Sequence, residues 1–497
     1  MCIEERASSR TRCTPASNGA VMSEIHFGTD GWRGVIADDY TFANVRLAAQ
    51  GTANQLRAAG QAERGIVVGY DTRFLSSTFA SLVAEVMAGN GIRVWLASEH
   101  CPTPALSHSV LQLEAGGGVM ITASHNPARW NGFKIKQHYG GSAPPAVTKA
   151  IEESLDGIAA AGGVQSMALG EAESRGLVER FDPRPTYLAA LREFVDTQAI
   201  RQAGLNILVD SMFGAAMGYT MELLAGDATE VHELHDARNP IFPGMRAPEP
   251  IAVNLAEQLG RIAQDGYDVG LSTDGDGDRL GFADEHGRFI TQLQTFALLA
   301  HYLVTGRGQR GPIVRSVTMT RMVDRLGELY GCPVYETPVG FVHLGPKMME
   351  SNALLAGEES GGYAFRGHIP ERDGVLSGLL LLEAMVKTGK RPSELLAALY
   401  AEVGPHEYDR VDITLRGDER DAIRARVAAA EPSTIAGLPV VSRDTVDGFR
   451  FVLEGGWWLL MRFSGTEPLL RIYAEMPSSE QVQQALRAGQ ELAGISL

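Results

Sequence analysis

The chain has 497 residues, 44% of them apolar and 21% charged, enough material for three or four globular domains at about 100–200 residues each. Sixty acidic residues face 44 basic ones, a net charge of −16, which disfavours wrapping by nucleic-acid phosphate or attraction to an anionic membrane surface. The apolar content excludes a disordered chain, and any anionic substrate must be held by local basic groups against the overall field.

Residues 1–21 hold Glu4 and Glu5, no apolar stretch and no periodicity. They read as a disordered extension, with Met22 a candidate start, and not as a secretory signal. The spacing predicts a helix over 41–60 that stops at Gly60, a buried strand over 65–71, a helix over 76–91, a strand over 92–98 and another over 116–124, followed by a turn at Asn131-Gly132. Strands alternating with helices imply a mostly parallel sheet covered by helices. After a Gly/Ala/Ser-rich linker at about 156–176, the pattern recurs: helix 185–196, strand 205–211, helix 214–226, strand 268–274. A third round gives helix 293–304, strand 312–317, helix 320–331, strand 333–339 and a long helix over 374–388. The last hundred or so residues are strand-rich, as in GFRFVLEGGWWLLMRFSG and LLRIYAE, and predict a smaller α+β domain. The expected division is 22–180, 181–290, 291–400 and 401–497.

Four cysteines, Cys2, Cys13, Cys101 and Cys332, form no CxxC pair, so neither a zinc ribbon nor a disulfide framework is expected and a reducing cytoplasm is the natural setting. No apolar run reaches the roughly 18 residues of a membrane helix.

Several segments carry chemistry. Ile121-Thr122-Ala123-Ser124-His125-Asn126-Pro127 stands at the carboxyl end of a predicted strand, where open α/β sheets present ligands. It either lifts the Ser124 hydroxyl into a cleft or is an ordinary turn before a proline; no Gly-x-Ser-x-Gly elbow surrounds it. Asp274, Asp276 and Asp278 alternate with glycines after another strand and can converge on one hard cation. A solvated acidic turn is the weaker alternative, because like charges this close repel unless something neutralises them. An EF-hand competes, with Glu285 at the twelfth position, but Arg279 at the sixth and strand-like flanks favour Mg²⁺ in an open site. Gly357–Gly362, GEESGG, suits recognition of vicinal sugar hydroxyls, or is a plain acidic loop; His368–Gly374 adds imidazole and guanidinium before a helix. Arg462–Arg471, RFSGTEPLLR, offers an anion cradle or a β-turn with incidental polar groups, and no Walker sequence occurs. Phe27–Gly34 contains Arg33, and Lys134 follows Ser124 by ten residues; single basic residues of this kind are usually solvated.

In order, FGTDGWRG, TASHNPARWNGFK, DGDGDR, GEESGG and RFSGTEPLLR resemble the α-D-phosphohexomutase superfamily, from about residue 25 to the C-terminus. The resemblance implies four domains around a central cleft, three similar α/β units and a smaller α+β fourth, carrying in turn the phosphoserine, the metal, the sugar-recognition loop and the phosphate loop. It implies interconversion of hexose 1- and 6-phosphates, glucose first and mannose or glucosamine as alternatives. Ser124 would carry the phosphoryl group and join Asp274, Asp276 and Asp278 on Mg²⁺. Lys134 would be a general acid/base, with His125, Arg33 and Arg279 lining the transfer centre. Glu358 and Ser360 would contact sugar hydroxyls, and Arg462, Ser464, Gly465, Thr466 and Arg471 would grip the other phosphate. GEESGG is closer to glucose and mannose members, GTDGWRG to the glucosamine branch. Thr337–Phe341 resembles a glucomutase loop that commonly continues with Lys, where Val342 and His343 stand here, leaving Lys347 or Arg372 to supply that cation. A hexose 1,6-bisphosphate is the implied activator and small sugar phosphates the implied partners. A Mg²⁺-dependent sugar phosphatase and a non-enzymatic Ca²⁺ module are the competing functions.

Overall fold

The computed structural model describes residues 25–160, 163–416, 419–464 and 468–495; the expected extension over 1–21 lies outside them. Four sheets follow one another along the chain. The first has seven strands, in the spatial order Phe27–Gly28, Gly31–Val35, Trp130–Gln137, Gly117–Ile121, Ile66–Tyr70, Val94–Ala97, Val178–Phe181. Its central pairings are parallel and the three strands at one edge are antiparallel. The parallel strands read IVVGY, VWLA and GGVMI and are buried almost throughout, because the helices Phe42–Ala58, Ser76–Gly89 and Thr103–Gln112 cover their faces.

Two sequence expectations change here. Asn131-Gly132 is no turn; both lie inside the strand Trp130–Gln137. A Cβ on Gly132 would stand 2.5 Å from the Thr122 carbonyl oxygen and 2.8 Å from that of Trp32, so the glycine allows two backbones to close in from either side. The linker expected over 156–176 is partly helical, in Pro145–Ala160 and Leu169–Ser174; alanine and glutamate there are helix formers.

The second sheet runs Phe289–Ile290, Leu280–Ala283, Val269–Thr273, Asn206–Asp210, Glu230–Leu234, and the third Val334–Thr337, Ile313–Ser316, Leu355–Glu358, Gly362–Phe365. The long helix is Gly374–Thr388, as its spacing predicts, N-capped by the Asp373 carboxylate. The helix expected over 214–226 shrinks to Tyr219–Leu224, since Gly218 takes a left-handed φ of 75° that interrupts a right-handed helix. GEESGG is a hairpin, not a loop: Glu358 pairs with Gly362 across it. The helix Phe341–Ser351, which absorbs Val342 and His343, carries an internal proline, Pro346, a residue that argues against a helix in sequence.

The fourth sheet is antiparallel: Glu407–Thr414, Leu469–Met476, Trp458–Phe463, Phe449–Leu453, Leu438–Asp444, Thr434–Ile435. Helices Arg420–Ala429 and Ser479–Ala493 complete it, an α+β unit. Cys101 and Cys332 are buried free thiols, and no described helix is long and apolar enough to cross a membrane.

The cores explain how these parts relate. One buried apolar cluster runs through the first three sheets, from Val67 and Leu106 to Ile207, Leu271, Ile313 and Leu355. The fourth sheet has a separate core around Ile472, Leu459 and Val427. It meets the third unit through a small patch of Val317, Trp458, Leu460 and Tyr473 and through ion pairs. The Glu336 carboxylate accepts both Arg450 terminal nitrogens at 2.6 Å, and Arg315 at 2.5 Å. Burial pushes the Glu336 carboxyl up, but Arg450 and Arg315 outweigh it and bring it to about 2 from an ordinary 4.5. The bridge therefore contributes fully above about pH 4.5 and is lost as pH falls towards 2. Thermal unfolding of Glu336→Gln against wild type should show a stability gap at pH 6 that closes over that window. A gap of constant size would refute the assignment.

Candidate active site

The serine segment leaves the carboxyl end of the buried strand Gly117–Ile121. Ser124 has φ +51°, a left-handed conformation uncommon for a residue with a Cβ. Such strain, of order 1 kcal/mol, persists only where the surroundings impose it. Arg73 does the imposing. Fully buried, it donates to the carbonyl oxygens of Ser124 and Asn126 at 2.6 Å each, of Pro127 at 3.0 Å and of Trp130 at 3.2 Å, while its Nε faces Asp71 at 3.2 Å. The Ser124 N–H donates to Thr122 Oγ1 at 2.8 Å. Arg73 escaped the sequence reading; the available signal was its place just past Ile66–Tyr70, the same strand-end address as Ser124.

So held, Ser124 Oγ donates to Asp274 Oδ2 at 2.7 Å and lies 3.3 Å from His125 Nδ1. The acidic loop joins the antiparallel strands Val269–Thr273 and Leu280–Ala283. Asp274 Oδ1 accepts the N–H groups of Asp278 at 3.0 Å and Arg279 at 3.2 Å, curling the loop so that one carboxylate oxygen from each aspartate falls within 4.8 Å of the others. All three side chains are buried. Asp276 Oδ2 accepts from Thr103 at 2.5 Å and Lys134 at 2.8 Å, and Asp278 Oδ2 faces Lys134 and Arg372, yet Asp276 Oδ1 and Asp278 Oδ1 have no hydrogen-bond partner. Buried carboxylate oxygens without donors suit a hard cation. Burial, and then the neighbouring aspartates, push the Asp274 carboxyl well above its ordinary value, a repulsion that a dication would relieve. The EF-hand alternative fails on geometry: the flanks are strands, and Glu285 accepts from the Ser393 hydroxyl and N–H.

Cations close the charge balance. Lys134 Nζ reaches Asp30 and Asp276 at 2.8 Å and Asp278 at 3.1 Å. Burial works against its charge, but those three carboxylates raise its pKa above the ordinary lysine value. Arg372 bonds Asp30 at 2.6 Å, Asp278 at 2.8 Å and Glu358 at 2.9 Å. Of the two cations offered from sequence, it is Arg372 that reaches the centre; Lys347 pairs with Glu350 beside the Tyr335 ring. Arg33 donates to Asn126 Oδ1 at 2.6 Å, and Arg279 lies 3.8 Å from Asp278 and 4.0 Å from Asp274. Asp30, another residue that the motif reading passed over, bridges Lys134 and Arg372. His125 is partly buried; removal from water, and then the nearby Arg279, Arg33 and Lys134, hold its imidazole pKa well below the ordinary value. Glu358 also accepts from Ser360 at 2.7 Å.

In the fourth unit, Arg462 and Arg471 stand directly opposite each other on adjacent strands. Arg462 donates to Asp447 at 2.9 Å, whose other oxygen accepts the Val339 N–H. The Ser464 carbonyl accepts from Arg420 at 2.5 Å. Gly465 and Thr466 lie outside the described residues.

Family models match in order: phosphoglucomutase/phosphomannomutase alpha/beta/alpha domain I at 24–161, domain II at 185–287, domain III at 292–403, and the C-terminal domain at 423–488. A phosphoglucomutase/phosphomannomutase of Thermococcus kodakarensis is 30% identical over 94% of this chain and 98% of its own length. A protein assigned as a phosphoglucosamine mutase, from Methanothermobacter thermautotrophicus, is 31% identical over 92% and 95%. The crystal structure of a protein assigned as a phosphomannomutase, from Thermus thermophilus, superposes with a TM-score of 0.82 at 35% identity, over 95% of this chain and 100% of that one.

If the triad takes a dication, Mg²⁺ added to metal-stripped protein should raise its melting temperature, the gain reaching about 2.7 kcal/mol at a hundredfold excess over Kd. Asp276→Asn should flatten that dependence. An identical rise in the variant would count against the ligand set.

Proposed function

We propose a specific reaction for a chain that belongs to the phosphoglucomutase/phosphomannomutase family and is therefore a phosphohexomutase, an isomerase: interconversion of hexose 1-phosphate and 6-phosphate, glucose preferred, through phospho-Ser124 and a hexose 1,6-bisphosphate. The observation that carries the reading is Ser124 Oγ at 2.7 Å from Asp274, beside two buried carboxylate oxygens left without donors. A bound Mg²⁺ would draw charge from the phosphoryl oxygens. Phosphoryl transfer is mostly positioning and charge stabilisation, and the chain supplies both. Arg73 fixes the serine backbone. Lys134, Arg33 and Arg279 offset the roughly −1.5 to −2 charge of a phosphoserine set among carboxylates.

In the forward step the free sugar hydroxyl bonds to phosphorus as the bond from phosphorus to Ser124 Oγ breaks. The hydroxyl proton leaves to a base while Ser124 Oγ takes up a proton as it departs, and the return step reverses both transfers; His125, 3.3 Å from Ser124 Oγ, and Lys134, paired with the aspartates, are the proposed acid/base groups. The bisphosphate turns over and gives its other phosphate back to Ser124. Glu358 and Ser360 are the proposed sugar-hydroxyl contacts, with Arg372 behind them, and Arg462, Ser464, Gly465, Thr466 and Arg471 the cradle for the phosphate at rest. Hydroxyls and guanidiniums grip phosphate whichever end of the sugar bears it.

Relatives named for glucose, mannose and glucosamine phosphates make the sugar a matter for assay. GEESGG favours glucose or mannose over glucosamine. A coupled assay over glucose, mannose, glucosamine and N-acetylglucosamine 1-phosphates, with and without bisphosphate, should rank glucose first. Ser124→Ala should cost at least about a thousandfold in turnover with the fold intact. Near-wild-type activity in that variant, or release of inorganic phosphate without any bisphosphate requirement, would replace the mutase reading with a phosphatase.

A further inference from the structure

The turn of the Leu355–Phe365 hairpin sends two adjacent carboxylates in different directions. Glu358 turns inward to Arg372 and accepts from Ser360. Glu359 turns to the fourth unit, where its Oε1 accepts the Tyr408 hydroxyl at 2.7 Å and Arg410 at 2.9 Å, and its Oε2 accepts the same guanidinium at 3.2 Å. Tyr408 and Arg410 lie on Glu407–Thr414, a strand of the fourth sheet. Arg410 Nε is 3.5 Å from Asp412, two residues along the same strand face, and Asp412 is 3.7 Å from Arg471 Nε, its direct cross-strand partner. Alternating charges thus run without a break from the sugar-facing hairpin to a guanidinium of the phosphate cradle. Glu359 is mostly buried and Arg410 about one-third exposed, so the first link is partly shielded from water and worth more than a surface pair.

Resting on the mutase reading above, we propose that Glu359, acting through Arg410 and Asp412, is a positioning residue that couples the sugar-contact hairpin to Arg471, so that engagement of the sugar fixes the cradle and retains the bisphosphate. Adhesion between units does not require this link. The separate Glu336–Arg450 bridge already attaches the fourth unit and does not begin at the sugar hairpin.

That separation gives the control. Glu359→Gln and Arg410→Gln should each raise the hexose phosphate KM, and the added bisphosphate needed for half-maximal activity, about tenfold. Turnover at saturation should stay within about threefold, and the double variant should be no worse than either single one. Glu336→Gln, which loosens the attachment elsewhere, should leave the bisphosphate requirement unchanged. The proposal falls if Glu336→Gln reproduces the effect, if the single variants lose turnover with no change in KM or bisphosphate requirement, or if their effects add. Should wild type interconvert no hexose phosphate, the functional reading fails on its own. Hydrogen exchange then decides the relay: faster exchange over 468–473 in Glu359→Gln but not in Glu336→Gln supports it, and equal exchange in both overturns it.

Discussion

Everything at the centre depends on opposite charges being buried together. Asp30, Asp276, Asp278 and Glu358 meet Lys134 and Arg372, Asp274 lies beside Arg279, and Arg33 is close by. Taking such groups out of water costs several kcal/mol each, and ion pairing at best roughly recovers that. The network is therefore no stabiliser. It is carried by the apolar core that joins the first three sheets, whose burial provides the surplus. The incomplete match within it, two donorless aspartate oxygens, is the feature with chemical consequence, because it concentrates unspent negative potential where a dication and a phosphoryl group can use it.

The left-handed serine belongs to the same logic. A relaxed turn after Ile121 would leave the hydroxyl free to swing. Four carbonyl oxygens gathered by Arg73 remove that freedom before any substrate arrives. Pre-set geometry of this kind is what a reaction governed by positioning rewards. Arg73 in turn answers to Asp71 and, through its ring contact, to Phe242 of the second unit, so the serine is braced from two sides.

The sequence made some of this legible and hid the rest for physical reasons. Strands such as IVVGY and the helix Gly374–Thr388 declare themselves because continuous burial and a capping aspartate leave local signatures. Ser124 and the aspartate trio stood out because strand ends and glycine-spaced carboxylates are rare combinations. Asn131-Gly132 misled, since a turn dipeptide and a strand glycine that admits close backbones look alike until the neighbours at Thr122 and Trp32 are known. Arg73, Asp30 and Glu371 were passed over for a related reason. Each acts on partners far away in the chain, as when Glu371 meets Lys136 at 2.5 Å, and no local pattern announces a long-range ion pair. The EF-hand echo at Glu285 is the opposite case, a local pattern that the flanking strands and Arg279 already argued against and whose carboxylate turns to Ser393.

How the cores divide bears on how a bisphosphate could be turned over without being lost. Three units sharing one core resist shifting against one another, because that would open apolar surface to water. The fourth unit, with its own core and a small apolar contact, can part from the others at the cost of that patch and a few ion pairs. Weak attachment permits reorientation, but weak attachment alone would also let the intermediate escape. The proposed cycle, with a fixed centre and a fourth unit that parts from it, would need a contact whose strength follows occupancy of the proposed sugar site. The turn at Glu359 meets that need geometrically, because Glu358 before it accepts from Arg372 and from Ser360 after it, while Glu359 itself faces Arg410.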